Sequence, residues 1–280
     1  MRTRLSPGHP FGYNRHGFAW EHVPAGGEAH LDFGCADGAL LAAMRAKNIR
    51  RLVGLEISRD AVAEARRRFP GLDVRHISRT VPLPFEDNTF TSIILLDVLE
   101  HVHEQQELLD EVRRVLRDDG RLIVTVPRWY VFSFLDIGNF KFRFPRMHRW
   151  LYRLAHSRAE HERRYAVNPD GLIGDVSARK KWHEHFSKDR LAAVLARSGL
   201  EAVAFDGSAF LTRPLAPLLW LMHKAPGLRR VGGWIERLDA RCFESMNLFC
   251  VAVKARSSSA EPASRGGASN GAAAPTKNRS

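Results

Sequence analysis

Apolar residues fall along this chain in two rhythms. Short, nearly unbroken apolar runs occupy 31–33, 51–56, 72–77, 93–96 and 121–126, and between them apolar residues recur three and four positions apart. The first rhythm suits buried strands and the second suits amphipathic helices. Leu40, Leu41, Met44 and Ile49 predict a short helix. Ser58 is placed to cap a helix over 60–69, which Pro70-Gly71 ends. Leu108, Leu109, Val112, Val115 and Leu116 predict the inward stripe of a helix over 104–118, closed by Asp118-Asp119-Gly120. Ser187 should cap a helix over 188–198, followed by Gly199 and a strand over 200–205. Asn247–Val253 alternates as a last strand. Ile93-Ile94-Leu95-Leu96 has the continuous apolar character of a central parallel strand covered on both faces. Strands alternating with helices predict an α/β fold built on a mostly parallel sheet.

One junction carries chemistry. Leu31 and Phe33 end the first strand, and Gly34 to Gly38 form a tight turn into the next helix. Glycine lets the backbone adopt unusual angles and approach a ligand, while the helix aims free N–H groups into the turn. In an open α/β sheet such a turn binds nucleotide-like ligands. The second strand ends in Glu56, about twenty residues on, where a carboxylate can accept from both ribose hydroxyls. The Gly-x-Gly-x-x-Gly dinucleotide spacing is missing, and Asp32 precedes the first glycine.

The segment Leu31-Asp32-Phe33-Gly34-Cys35-Ala36-Asp37-Gly38 resembles the first motif of class I S-adenosylmethionine (SAM)-dependent methyltransferases, in particular the type 11 group, with Ala36 where a middle glycine is usual. Glu56 falls where that family keeps its ribose-binding acid. Leu83-Pro84-Phe85 resembles the family's segment before the fourth strand, and Asp97–Val102 resembles the motif after it. The resemblance covers roughly residues 29–127, with a weaker echo in 182–206. It departs at Ser78 and Arg79, where an acid often holds the adenine amino group, and at Phe90-Thr91, where Phe-Asp is usual. Adenine recognition is then expected to rest on backbone groups.

The resemblance implies a Rossmann-like, doubly wound, mostly parallel sheet with an antiparallel edge strand and a helical cap insertion. It implies SAM as cofactor, bordered by Asp32, Gly34, Cys35, Ala36, Gly38, Glu56, Ile57, Ser78, Arg79, Asp97 and Val98. Asp32 would orient the loop and the methionine amine, Gly34, Cys35 and Gly38 would approach through their backbone, Glu56 would hold the ribose, and Asp97 and Val98 would border the methionine part. His101 or His185 would take a proton from the acceptor; Glu100-His101 also reads simply as the start of a helix. His183 and His185 lack a convergent carboxylate or cysteine set, so no metal is expected.

Composition narrows the setting. The 280 residues suffice for one α/β domain with additions. Cys35, Cys242 and Cys250 have no paired spacing, which argues against a disulfide or zinc framework and for a reducing cytoplasm. No apolar run reaches the ~18–20 residues of a membrane span, and the basic N-terminus lacks the apolar core of a signal peptide. The net charge of +12 is uneven: 29–127 carries −2, whereas 128–190 carries +7. The basic insertion would attract phosphate-bearing substrates, anionic lipid surfaces or RNA.

The expected organisation is an N-terminal arm or lid over 1–28, containing Tyr13, Arg15, His16 and Trp20, and a SAM-binding core over 29–127. A basic aromatic cap over 128–184 and the C-terminal half of the sheet over 185–255 follow, then a disordered tail over 256–280. In the cap, aromatics alternate with Lys141, Arg143, Arg146, Arg149 and Arg153. Residues 208–240 combine Leu215, Trp220 and Trp234 with Lys224, Arg229 and Arg230, which suits a membrane interface, a helical hairpin packed on the sheet, or a subunit contact. The reading is a SAM-dependent methyltransferase of a lipid-linked, isoprenoid or cell-envelope glycan acceptor, peripheral on the inner face of the cytoplasmic membrane. RNA methylation and non-catalytic binding on the same fold are the alternatives.

Overall fold

The computed structural model describes residues 14–128, 144–162, 184–208, 215–242 and 247–255. Seven strands form one sheet: β1 (Ala29–Phe33), β2 (Arg51–Glu56), β3 (Asp73–His76), β4 (Phe90–Leu96), β5 (Leu116–Pro127), β6 (Leu200–Ser208) and β7 (Asn247–Lys254). Their order is β3-β2-β1-β4-β5-β7-β6. β1 to β5 run parallel, whereas β7 is antiparallel to both β5 and β6. The fold is the α/β architecture expected from the strand–helix alternation, in the Rossmann-like form that the resemblance implies. The antiparallel strand lies at the expected end of the sheet, one place in from β6.

Nine helices accompany the strands among the described residues: α1 (Arg15–His22), α2 (Ala39–Ala43), α3 (Arg59–Arg68), α4 (Gln105–Val115), α5 (Pro145–Tyr152), α6 (Arg158–His161), α7 (Lys188–Arg197), α8 (Ala216–Lys224) and α9 (Arg229–Cys242). Two expected caps are present. Ser58 Oγ accepts from Ala61 N at 3.3 Å, and Ser187 Oγ accepts from Arg190 N at 3.1 Å. Both satisfy N–H groups that a helix start leaves without partners.

Because side chains alternate across a strand, the core has two halves. Leu31, Phe33, Ile93 and Leu95 face a cluster completed by Leu108 and Val112 of α4 and Leu191 of α7. Ile94 and Ile123 face the other side, where Phe18 and Ala19 of α1 meet Leu40, Met44 and Phe249. β1 is buried at all five positions because it is flanked by β2 and β4 and covered on both faces.

Two elements differ from the sequence-based expectation. Residues 15–22 are helical although their apolar positions show no clear period; two turns are too few to display one. Asn14 Oδ1 caps this helix by accepting from His16 N and Gly17 N. The helix predicted over 104–118 ends at Val115, and Leu116 already belongs to β5, paired with Phe90. The pairing then shifts between Phe90 and Ser92, so Asp118-Asp119-Gly120 is an irregularity inside a strand and not a helix end. The stretch over 208–240 holds two helices, α8 and α9, in line with the helical hairpin among its expected forms, and a hydrogen bond between His223 Nε2 and Glu236 Oε1 at 2.9 Å joins them. No helix among the described residues is long and apolar enough to cross a membrane.

Candidate functional site

The loops that leave the carboxyl ends of β1, β2 and β4 meet at one crevice. The sheet order reverses between β1 and β4, which is where open α/β sheets bind ligands. A cavity of about 340 Å³ lies there, lined by Gly34, Glu56, Ile57, Asp97, Val98 and His101 among others.

Gly34 turns the chain at the end of β1. Its φ is +86°, a region that suits glycine, and a Cβ there would stand 2.7 Å from Val98 Cγ2. Gly34 N and Cys35 N both donate to Leu55 O, at 2.7 and 3.1 Å, which binds the turn to the end of β2. Ala36, at the position where the motif usually has glycine, also has a positive φ of 47°. Gly38, with φ +74°, opens α2.

Glu56 fixes the shape of this crevice. Its Oε2 accepts from Ala36 N at 2.9 Å, and its Oε1 accepts from Ile57 N at 2.8 Å and Ser58 N at 2.9 Å. The carboxylate is buried, yet it borders the cavity. It therefore holds the β1 and β2 loops together, and its three accepted hydrogen bonds leave about one of the four lone-pair sites of the carboxylate unused, on Oε2.

Asp97 follows β4 with φ +54°. Its N–H donates to Thr125 O and Oγ1, at 2.9 and 3.1 Å, and its Oδ1 accepts from Thr125 Oγ1 at 2.7 Å. Its Oδ2 is ion-paired with Arg15 of α1. A 3₁₀ turn over Leu99–His101 then brings His101 to the cavity wall beside His103 and Glu104. The Glu100 carboxyl is fully buried, 3.4 Å from His101 Nε2.

Other expected residues lie near the crevice without lining it. Asp32 is buried in β1, and burial, reinforced by the Glu56 charge, pushes its carboxyl up to about 7. The Cys35 thiol is pushed well above its ordinary range by burial, and it packs where a Cβ on Gly54 would fall. Between Ile77 and Thr80, which line the cavity, Ser78 and Arg79 do not. His185 is half-buried and is not among the lining residues. Its neighbours tie it to the His101 turn: Phe186 N donates to Pro127 O at 2.9 Å, and Gln105 Nε2 donates to both Glu184 Oε2 and Leu99 O. Tyr13 and His183 lie outside the described residues. Among the described residues, no three His, Cys, Asp or Glu side chains gather as a metal-ligand set.

Sequence reasoning placed Arg15 only in an arm or lid, and it missed Ile77, Thr80, His103 and Glu104. They sit in loops or at a helix start, where no period marks a side chain's direction.

Residues 31–124 match the family model described as a methyltransferase domain. A Mycolicibacterium smegmatis protein described as a probable S-adenosylmethionine-dependent methyltransferase is 31% identical over 123 residues, 43% of this chain and 47% of that protein. A demethylmenaquinone methyltransferase of Clavibacter sepedonicus is 32% identical over 105 residues, 36% of this chain and 42% of its own length. The matched part thus spans less than half of these relatives. A Haloferax volcanii methyltransferase solved with the Trm112 activator shares the fold, with a TM-score of 0.52 at 20% identity over 86% of this chain and 91% of that one. A SAM-dependent methyltransferase from Mesorhizobium loti gives 0.51 at 16% identity, over 84% and 94%. The match is thus to a methyltransferase domain over residues 31–124, and the cofactor named for the Mycolicibacterium smegmatis relative is S-adenosylmethionine.

The residues present fit that cofactor. The glycine at 34 keeps the backbone bare where a side chain would collide with Val98, and Glu56 offers an acceptor at the same wall. The cavity falls in the size range of small-ligand sites, about 300–1,000 Å³.

Proposed function

We propose that this chain transfers the methyl group of SAM to a small-molecule acceptor of lipid-linked, isoprenoid or cell-envelope glycan type, working at the face of a membrane. The observation that carries the transfer reaction is the crevice between β1 and β4, where Gly34 and Glu56 stand on one side and Asp97 and His101 on the other. SAM, when bound, supplies an electrophilic methyl carbon on a sulfonium. The protein's work is to align the acceptor and exclude water. In this reading Glu56 accepts from the ribose hydroxyls, the Gly34–Gly38 backbone lies along the cofactor, and Asp97 and Val98 border its methionine part. His101, at the same wall, takes the proton that an O or N acceptor loses.

The membrane-face part of the reading rests on exposed side chains. Trp150, Trp220 and Trp234 are 63%, 61% and 56% exposed, and Met147, Leu151, Leu154, Leu218 and Leu221 are exposed beside them in sequence. α5 buries none of its residues. Arg146, Arg149 and Arg153 accompany the first group, and Lys224, Arg229 and Arg230 the second, all exposed. Lys224 Nζ lies 3.7 Å from the centroid of the Trp220 ring. Aromatic and basic side chains in this combination suit a lipid headgroup layer. The segments 128–184 and 208–240 would then act as a cap and an interfacial hairpin on the core. A demethylmenaquinone methyltransferase among the relatives is in keeping with an isoprenoid-type acceptor.

The test is transfer of a tritiated methyl group from SAM into cell fractions separated into lipid, small-molecule, RNA and protein pools. Label in the lipid fraction is expected. Label confined to RNA would replace this reading with the nucleic-acid alternative. Binding of SAM without transfer to any pool would leave a non-catalytic binding protein.

A further inference from the structure

The helix α5 presents three faces. At 3.6 residues per turn, Met147, Trp150 and Leu151 fall within about 100° of its circumference, Arg146, Arg149 and Arg153 within about 60° beside them, and His148 and Tyr152 within about 40° of the remaining arc. The first two faces are exposed. The third is half-buried, because it meets α6. His148 Nδ1 lies 3.4 Å from Nε2 of the buried His161, and the Tyr152 ring stands edge-on to His161 with centroids 5.4 Å apart. The Tyr152 hydroxyl donates to Glu160 Oε1 at 3.4 Å. His156, in the turn between the helices, stacks on Tyr152 at 4.2 Å. Imidazole and phenol rings thus stand where a helix pair ordinarily buries aliphatic side chains.

This contact depends on protonation. A bond between two imidazole nitrogens needs one of them bare, to accept. With both rings protonated, two N–H groups and two positive charges would face each other. Among the described residues, the charged and titratable groups around the pair are Arg149, Tyr152 and Arg153 of α5, His156 of the turn, and Arg158, Glu160 and Glu162 in and just after α6. Glu160 is engaged with Tyr152, and Glu162 with Arg158 at 3.1 Å. Burial first, then Arg149, with Glu162 opposing and Arg153 adding, holds the His161 imidazole below its ordinary range. A histidine lowered in this way supports the contact while it is neutral and withdraws that support as pH falls. Four arginines and two glutamates leave residues 144–162 at +2, and protonation of their three histidines brings them to +5.

We propose that α5 seats on an anionic lipid surface through its apolar and arginine faces, and that the His148–His161 clasp makes this docking tighten on acidification. This rests on the membrane-face reading above. Charge complementarity selects the partner. The arginine face borders the apolar one, so apolar side chains at acyl depth leave the guanidinium groups level with lipid phosphates. Phosphates beside the clasp favour the protonated rings, and by reciprocity the protonated rings favour binding. Acidification therefore turns His148 and His161 from partners of each other into partners of the headgroups.

The experiment varies pH and lipid charge together. The full chain is floated with vesicles of mixed phosphatidylglycerol and phosphatidylcholine, and with vesicles of phosphatidylcholine alone, on either side of the imidazole range, at about pH 7.5 and about pH 5.5. On the anionic vesicles, wild-type binding should tighten at the lower pH by about fivefold for each proton taken up. His148→Gln combined with His161→Gln keeps a polar side chain at each place without a titrating ring. This variant should float like wild type at the higher pH and lose most of the gain at the lower. Wild-type binding that is equal at both pH values, a gain kept by the double variant, or an equal gain on phosphatidylcholine alone each overturns the proposal and leaves the membrane-face reading standing. Absence of flotation at both pH values overturns that reading too. If the double variant does not fold, by circular dichroism, His148→Gln alone, at the half-buried position, takes its place.

Discussion

His30 and Asp32 sit two residues apart on the same face of β1, both buried, and the fold moves their proton affinities in opposite directions. Burial holds the His30 imidazole down at about 3 and pushes the Asp32 carboxyl up to about 7. Unfolded, the two titrate near 6.5 and 3.9.

The two shifts oppose each other in the pH dependence of stability. Between about pH 4 and 6.5 native Asp32 keeps a proton that the unfolded chain has released, so its contribution falls as pH rises. Over the same window the unfolded chain binds a proton at His30 that the native protein refuses, so that contribution rises with pH. In the wild type they nearly cancel. Asp32→Asn should uncover a stability that rises with pH by up to about 1.4 kcal/mol per unit, and His30→Gln one that falls by as much. Urea unfolding at pH 4.5, 5.5 and 6.5 measures both slopes. Parallel curves for all three proteins would contradict the assignment.

Glu56 carries structure on its carboxylate and, in the proposed reading, binding as well. Replacing it with Ala leaves the Ala36, Ile57 and Ser58 N–H groups without their acceptor, at a cost of about 1–3 kcal/mol of stability. Affinity for S-adenosylhomocysteine should fall in the same variant, because the proposed ribose acceptor is lost. Thermal melts and calorimetry, read together, check this; a melt that moves while affinity stays constant would leave Glu56 with a structural role alone.

Two of the three positive-φ positions of the turn predict substitutions of opposite sign. Gly34→Ala should destabilise the protein and weaken cofactor binding, because φ is +86° and the new methyl meets Val98 at 2.7 Å. Adding Val98→Ala should restore part of the stability, since it removes the collision but not the backbone cost. Ala36→Gly, at φ 47°, should instead stabilise the protein by up to about 1 kcal/mol. Chemical denaturation of the four proteins provides the comparison, and an Ala36→Gly variant less stable than wild type would refute the strain argument.

Flotation with anionic liposomes across a salt series tests the membrane face. Wild-type protein should float at low salt and retain part of its binding at high salt, because buried aromatic surface is not screened. Trp220→Ala combined with Trp234→Ala should lose the salt-resistant part and leave cofactor affinity unchanged. RNA retention that falls steeply with salt, with no flotation, would favour the nucleic-acid alternative.

Much of the core could be read from the sequence because burial imposes period and length. Ile93–Leu96 admits only a covered strand, Ser58 and Ser187 announce helix starts, and Gly34 followed at a distance by Glu56 marks the crevice. The rest depends on contacts without period. Leu116 fits the helical stripe of Leu108 and Val112 as well as it fits a strand, and only its pairing with Phe90 decides between them. Nothing local distinguishes Ile77 and Thr80, which line the cavity, from Ser78 and Arg79 between them. Arg15 lies 82 positions from Asp97, a separation that no motif spans.

The strand order has a consequence for synthesis. Among the described residues β6 pairs with no strand but β7, and β7 alone fills the side of β5 away from β4. While the chain is being made, residues 200–208 have no place in the sheet and β5 offers an open edge. Both wait for residues 247–254 to leave the ribosome. The helices α8 and α9 emerge during that wait, with their exposed tryptophans, beside an unfinished sheet. This interval is the point at which a nascent chain of this topology is most open to chaperones and to misassembly with its neighbours.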